Sequence, residues 1–136
     1  MNRISTFVLL IGLCTMFGAC RTQAVNPGGG DSTLTSAIDG FVLKGPISPV
    51  SRIGVPNTAP FGGAPITIAN SSGSFNAYVV SDTAGKFYLK VAPDTYLCTP
   101  DSIPGQSLLR PGASVTSVVP ANTTVYDTLN YDTGIR

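Results

Sequence analysis

From Ala37 onward the chain is cut at short intervals by clusters of glycine, proline, asparagine and aspartate, and no window between the cuts sustains a helical i, i+3, i+4, i+7 recurrence. What fits between the cuts is the extended strand, which needs only roughly four to eight residues. Residues 38–43 form a first candidate, stopped by Gly45-Pro46. Residues 65–69 alternate apolar and polar side chains and meet the turn cluster Asn70-Ser71-Ser72-Gly73. Residues 75–80 run into a turn over 81–86, where Gly85 supplies a positive φ. Phe87, Leu89 and Val91 then share one face, with Tyr88 and Lys90 on the other. Pro93-Asp94 turns the chain into 95–99, and strands over 114–119 and 123 to about 131 complete the set. This pattern predicts an all-β fold, a seven-stranded antiparallel Greek-key sandwich.

The first residues obey a different logic. Met1-Asn2-Arg3 is a basic start, and residues 4–17 form an apolar run. At about 14 residues the run is shorter than the ~20 that a membrane-spanning helix requires, so it reads as an export signal. It ends in Phe17-Gly18-Ala19-Cys20, small residues before a cysteine, which resembles the bacterial lipoprotein signal. The resemblance implies cleavage before Cys20, acylation of its thiol and a membrane anchor there, with Phe17 standing where that box usually has leucine. Cys14, preceded by Leu13 within the apolar run, does not fit. The expected organisation is a signal peptide at 1–19, lipidated Cys20 with a flexible linker to residue 36, and a single domain at 37–136. About 16 flexible residues reach some 20–25 Å, enough to hold a small domain off a lipid surface.

With Arg3 removed, the eight basic residues fall to seven, and they balance seven acidic ones, all aspartate. No basic stripe exists for nucleic acid to bind. Charged residues make up 11% of the chain, against the usual quarter, while Thr, Ser, Val, Gly and Pro are plentiful. That composition suits an extracytoplasmic β-protein, placed in the bacterial cell envelope by its anchor.

Certain residues recur in a familiar order: Ile38-x-Gly40-x-Val42, Gly45-Pro46-Ile47-x-Pro49-Val50, Gly63-Ala64-Pro65-Ile66, and Ser81-Asp82-x-x-Gly85-Lys86-Phe87-x-Leu89-x-Val91-x-Pro93-x-Thr95-Tyr96, with Asp132-Thr133-Gly134-Ile135-Arg136 at the end. Residues 37–136 thereby resemble the carboxypeptidase regulatory-like domain, a transthyretin-like sandwich common in bacterial surface lipoproteins. The stretch from Asp82 to Tyr96 carries most of the likeness and specifies a hairpin, not a reaction. Asp94 stands where the family has glycine, as a residue that tolerates the left-handed conformation. The resemblance implies no activity, because in the peptidases concerned the metal site belongs to another domain.

The residue types present argue against catalysis. Histidine and glutamate are absent, which removes the usual zinc ligands and the usual general base for a serine or cysteine nucleophile. No cofactor is expected. Asp82 and Asp94 sit at turns, where aspartate caps its own backbone. Asp127 and Asp132 remain as cation ligands only if folding brings further oxygens near. Lys44, Lys86 and Lys90 read as solvated surface. Lys44 near the first strand and Asn130 near the last are suggestively placed for a self-forming Lys–Asn bond of the kind known in some Gram-positive pilus-type sandwiches, with only an aspartate to assist. Cys98 alternates with Tyr96 and is expected to point inward as an inert, packed thiol.

Two loops are long enough to require a purpose. Residues 45–64 hold four prolines together with Arg52, Ile53, Val55 and Phe61; residues 100–113 hold Ile103, Leu108, Leu109 and Arg110. Capping of the open sandwich ends and binding of a partner both remain open, with Arg52, Ile53, Val55, Phe61, Leu108, Leu109 and Arg110 as the candidate binding residues. The function expected is a non-enzymatic envelope lipoprotein, binding an envelope protein or supporting an assembly. The alternatives are a glycan-binding module, for which Tyr78, Tyr88 and Tyr131 are the candidate platforms in a chain without tryptophan, or a self-associating structural subunit.

Overall fold

The computed structural model describes residues 34–136. The expected signal peptide, Cys20 and the linker as far as residue 33 lie outside the described residues. Nine strands follow in chain order: β1 (Ser36–Gly45), β2 (Ala59–Pro60), β3 (Pro65–Asn70), β4 (Asn76–Val80), β5 (Lys86–Val91), β6 (Asp94–Pro100), β7 (Arg110–Pro111), β8 (Val115–Val119) and β9 (Thr124–Asp132). In the first sheet β1 is central, with β5 and then β2 along one edge and β9 along the other, and β7 lies beyond β9. The second sheet runs β4-β3-β6-β8.

Two features depart from the sequence expectation. The count is nine rather than seven, because the two-residue β2 and β7 form inside the long loops, where proline-rich sequence carries no alternation to read. Further, β1 and β9 run parallel, from Ala37↔Thr124 to Gly45↔Asp132, so the first sheet is mixed while the second is antiparallel throughout. Alternation assigns side chains to faces and is indifferent to strand direction.

The core follows that alternation. Ile38 and Val42 of β1, Ile66 and Ile68 of β3, Phe87 and Val91 of β5, Tyr96 and Cys98 of β6, Val119 of β8, and Leu129 and Tyr131 of β9 are buried between the sheets. Each large apolar side chain so placed stabilises the fold by about 1.5–3 kcal/mol before entropy. Gly40 continues the inward series of β1 and lies beneath the Phe87 ring.

Polar ties pin the ends. Tyr96 packs edge-on against Phe75 and donates its hydroxyl to the Ala92 carbonyl at 2.9 Å, an arrangement like the tyrosine corner of immunoglobulin-type sandwiches. The Asp82 carboxylate accepts from the amides of Ala84 and Lys86, both at 2.9 Å, which is the self-capping role its turn predicts. Gly85 closes that turn at φ 80°, and a Cβ there would lie 2.6 Å from the Val42 carbonyl oxygen. Asp94 also caps its own backbone, as its turn predicts, but without the left-handed conformation expected of it. The non-glycine residue with a left-handed φ among the described residues is Asn122, whereas Asp94 accepts from its neighbour Thr95 N at 2.7 Å and from Asn70 Nδ2 at 2.9 Å.

Because β1 and β9 are parallel, Gly45 and Asp132 arrive together at one pole. Ser36 starts at the other pole, where its hydroxyl donates to Pro120 O at 2.6 Å.

Candidate functional site

At the pole reached by Gly45 and Asp132 both long loops fold back over the sandwich. The first is drawn into a closed excursion by Asn57, whose side-chain oxygen accepts from Ile47 N at 3.1 Å and Ser48 N at 2.9 Å while its Nδ2 donates to Ser48 O. The second makes two tight turns, Gln106 N to Ile103 O and Leu109 N to Gln106 O, before β7 pairs with β9. The Tyr131 hydroxyl, buried beneath, bonds the carbonyls of Pro65 at 2.8 Å and Asp101 at 2.7 Å, so it joins the second sheet to the loop. Burial, followed by the charge of Asp101, pushes its pKa up to about 12.

Between the loops lies an open pocket of about 540 Å³, lined by Lys44, Ile47, Phe61, Leu108, Leu109, Thr133 and Ile135 together with residues 105–107. Phe61 forms its inner wall and stands edge-on to Tyr131, with ring centroids 5.0 Å apart. The Lys44 ammonium sits 5.3 Å above the Phe61 ring centroid, a cation held against an aromatic face. No carboxylate among the described residues pairs with it. The chemistry offered is an apolar wall carrying one fixed positive charge.

Of the seven candidate loop residues, three meet here: Phe61, Leu108 and Leu109. Phe61 and Leu109 also pack on the core, while Leu108 is 78% exposed. Arg52 and Val55 line a smaller neighbouring hollow of about 210 Å³ that shares Ile47. Arg110 lines a third, beside Ile103 and Leu109. Ile53 projects fully into solvent and lines none of these three. The seven therefore form no single site.

Lys44 was read as solvated surface, and the structure corrects this: it continues the inward series Ile38, Gly40, Val42 and is half-buried. That period-two signal was available in the sequence. Its register partner is Tyr131, whereas Asn130 pairs with Leu43 and points outward, exposed. A one-residue offset in a strand reverses the face, so the Lys44–Asn130 bond has no geometry to form. Ile47, Thr133 and Ile135 were missed as well; nothing in their local sequence signals a shared pocket.

A second polar group lies inside the sandwich. Cys98 is fully buried, the placement its alternation with Tyr96 predicts. Its thiol donates to Asp127 Oδ2 at 3.6 Å, and Ser117 donates to the same oxygen. Burial first, then the Asp127 charge, pushes the thiol up to about 12, which removes the thiolate needed for redox or nucleophilic work. Asp132 accepts from Arg136 Nη2 at 2.7 Å and from Gly134 N, and these bonds hold its carboxyl down to about 2. Both carboxylates once open to a cation are thus engaged within the chain, and no cluster of three or more potential metal ligands occurs among the described residues.

The tyrosines also redistribute. Tyr78 and Tyr88 are 60% and 58% exposed, on the outer faces of the second and first sheets respectively. Tyr131 is buried and is no platform, whereas Tyr126, passed over in the sequence, is 77% exposed.

No family model matches the chain, and no curated protein sequence matches it. Among solved structures it is similar to GBS52, the minor pilin of the Gram-positive pathogen Streptococcus agalactiae, with a TM-score of 0.53 and 12% identity over 71% of this chain. The Bacillus anthracis TIE protein and a variant of the shaft pilin SpaA from Lactobacillus rhamnosus GG each superpose with a TM-score of 0.49, at 14% and 12% identity. The chain spans 43% of the minor pilin, 17% of the TIE protein and 50% of the shaft pilin. The likeness to the minor pilin establishes the fold, an all-β sandwich of two facing sheets of the kind found in pilin domains.

Proposed function

We propose that this chain is a non-enzymatic accessory module of the bacterial cell envelope, lipid-anchored at Cys20, which supports an assembly by receiving a partner segment in the pole pocket. The observation that carries the reading is the pocket itself, an apolar hollow with the uncompensated Lys44 ammonium on its wall. The complementary ligand is a peptide segment that places an apolar side chain against Phe61 and Leu108 and a carboxylate at Lys44. Position supports the same role. The ten residues of β1 separate Ser36 from the pocket by about 30 Å, so a domain tethered through its N-terminal segment presents the pocket away from the membrane. The pilin-type fold is compatible with an envelope setting, and the finer reading as a carboxypeptidase regulatory-like domain rests on the sequence pattern alone. The buried Cys98 thiol and the missing histidine and glutamate favour binding over catalysis.

The test is photo-crosslinking from position 108 in intact envelopes, with and without Lys44→Gln. One stoichiometric envelope partner, captured by the parent protein and lost with Lys44→Gln, is the expected result. Absence of a partner, or equal capture by both, removes the proposal. Release into the soluble fraction by Cys20→Ser checks the anchor separately.

A second reading, self-association, is favoured by the outer face of the second sheet. Tyr78, Val80, Leu97 and Val118 are exposed there between outward threonines, with no charged residue on β3, β4 or β8 and with the Asp101 carboxylate bonded to Thr67 at the end of β6. Concentration-dependent mass in light scattering, abolished by Val118→Lys, would select it.

A further inference from the structure

The outer face of the first sheet is built quite differently from that of the second. Register places Asp39 of β1 directly opposite Tyr88 of β5 on one side and Tyr126 of β9 on the other. Residues directly opposite in a sheet point to the same face, so a tyrosine, a carboxylate and a tyrosine form one row across three strands. Two strand spacings place the backbones of Tyr88 and Tyr126 about 10 Å apart. The next row is Lys86, Phe41 and Thr128. An open depression of about 260 Å³ lies on the β1–β9 side of these rows, lined by Asp39, Phe41, Lys86, Tyr126 and Thr128 with Gly40 and Asp127. Tyr88 stands outside it, and the Asp127 carboxylate is turned inward to Cys98 and Ser117.

We infer that this row is a binding platform for an acidic polysaccharide. Three observations narrow the ligand class. First, β1 is paired along both edges over these residues, so no backbone groups remain for an added peptide strand, and recognition must come from side chains alone. Second, two exposed tyrosines rooted on strands about 10 Å apart, with the Asp39 carboxylate between them, match a flat ligand whose apolar faces alternate with hydroxyl rims, on the order of two pyranose units end to end. In that arrangement Tyr88 and Tyr126 stack on sugar faces, Asp39 accepts from ring hydroxyls, and Thr128 donates or accepts at the rim. Third, the charge on β5 selects among ligands. Lys86 and Lys90 flank Tyr88 at two-residue spacing on the same outward face, against the single carboxylate of Asp39. This balance disfavours a cationic ligand between the tyrosines and favours a glycan carrying carboxylates. The platform is separate from the pole pocket, sharing none of its lining residues.

The test is affinity electrophoresis of the full chain through gels containing polygalacturonate or, as the neutral comparison, dextran. Tyrosine fluorescence, readable because tryptophan is absent, supplies a second measure. Polygalacturonate is expected to retard the protein and dextran to do so weakly, with Tyr126→Ala and Tyr88→Ala each weakening retention about tenfold. Both rings are largely exposed, and circular dichroism verifies that the variants fold. Leu108→Ser, in the pole pocket, is expected to leave retention unchanged. Absence of retardation overturns the inference, as does equal retardation by dextran. Retention that survives both tyrosine replacements and vanishes only with Lys86→Gln would mean charge adsorption, and overturns it too.

Discussion

Replacing Gly40 by alanine ordinarily stabilises a strand, since glycine inside a strand is worth about 0.5–1 kcal/mol less than alanine. In this protein the sign is expected to reverse. Gly40 faces inward on β1 directly opposite Phe87 of β5, and a Cβ at position 40 would fall 1.9 Å from Phe87 Cζ and 2.1 Å from Cε1. No real contact is that short, so the ring must leave its seat. Phe87 is only 4% exposed and belongs to the central cluster with Ile38, Val42 and Val91, so the ring moves only by disturbing packed neighbours. Overpacking of this kind costs about 1–3 kcal/mol, and this contact belongs at the upper end. After the alanine gain, the net loss is about 2 kcal/mol. Urea unfolding followed by circular dichroism reads this as a lower midpoint with an unchanged slope. A double-mutant cycle sharpens it: in a Phe87→Leu background the same alanine should cost at least about 1 kcal/mol less, because the ring that clashes is gone. A Gly40→Ala midpoint at or above that of the parent, or a cycle that closes additively, would refute the packing argument.

Two further outcomes follow from the buried hydroxyl and thiol. Cys98 and Tyr131 are neutral when protonated and have folded pKa values raised to about 12, from 9.0 and 10.0. Their stabilisation is therefore complete below pH 9 and is lost as pH climbs toward 12. Stability measured from pH 8 to 12 should fall more gently in Cys98→Ala, and parallel curves would contradict the assignment. Tyr131→Phe removes the bonds to Pro65 O and Asp101 O and should cost about 1–2 kcal/mol. The same change should speed amide exchange at Leu109 and Arg110, because the loop loses its tie to the sandwich; unchanged exchange would show that the hydroxyl does not hold it.

The core was legible because its signal is local. Ile38 and Val42, Ile66 and Ile68, Phe87 and Val91, and Tyr96 and Cys98 each lie two or four residues apart, and every pair is buried as that spacing requires. Lys44 obeyed the same rule, and its misreading came from weighing residue type above position. The loops were legible only as loops. Leu108 and Phe61 lie 47 positions apart, and no local feature marks them, or Ile135, as walls of one pocket. Tyr126 was overlooked for a similar reason: its importance lies in facing Tyr88 across Asp39, which is a fact of register.

The amino-acid order alone settled that this chain builds strands instead of helices, and which side of each strand turns inward, because both depend on neighbours within a few residues. Tertiary structure decided the rest. That β9 runs alongside β1 in the same direction, that the chain's two long loops meet over Lys44, and that two tyrosines flank one aspartate are choices of partner between segments distant in sequence. Those choices are made by the packing of whole sheets, in which alternation constrains the faces but leaves direction and neighbour free.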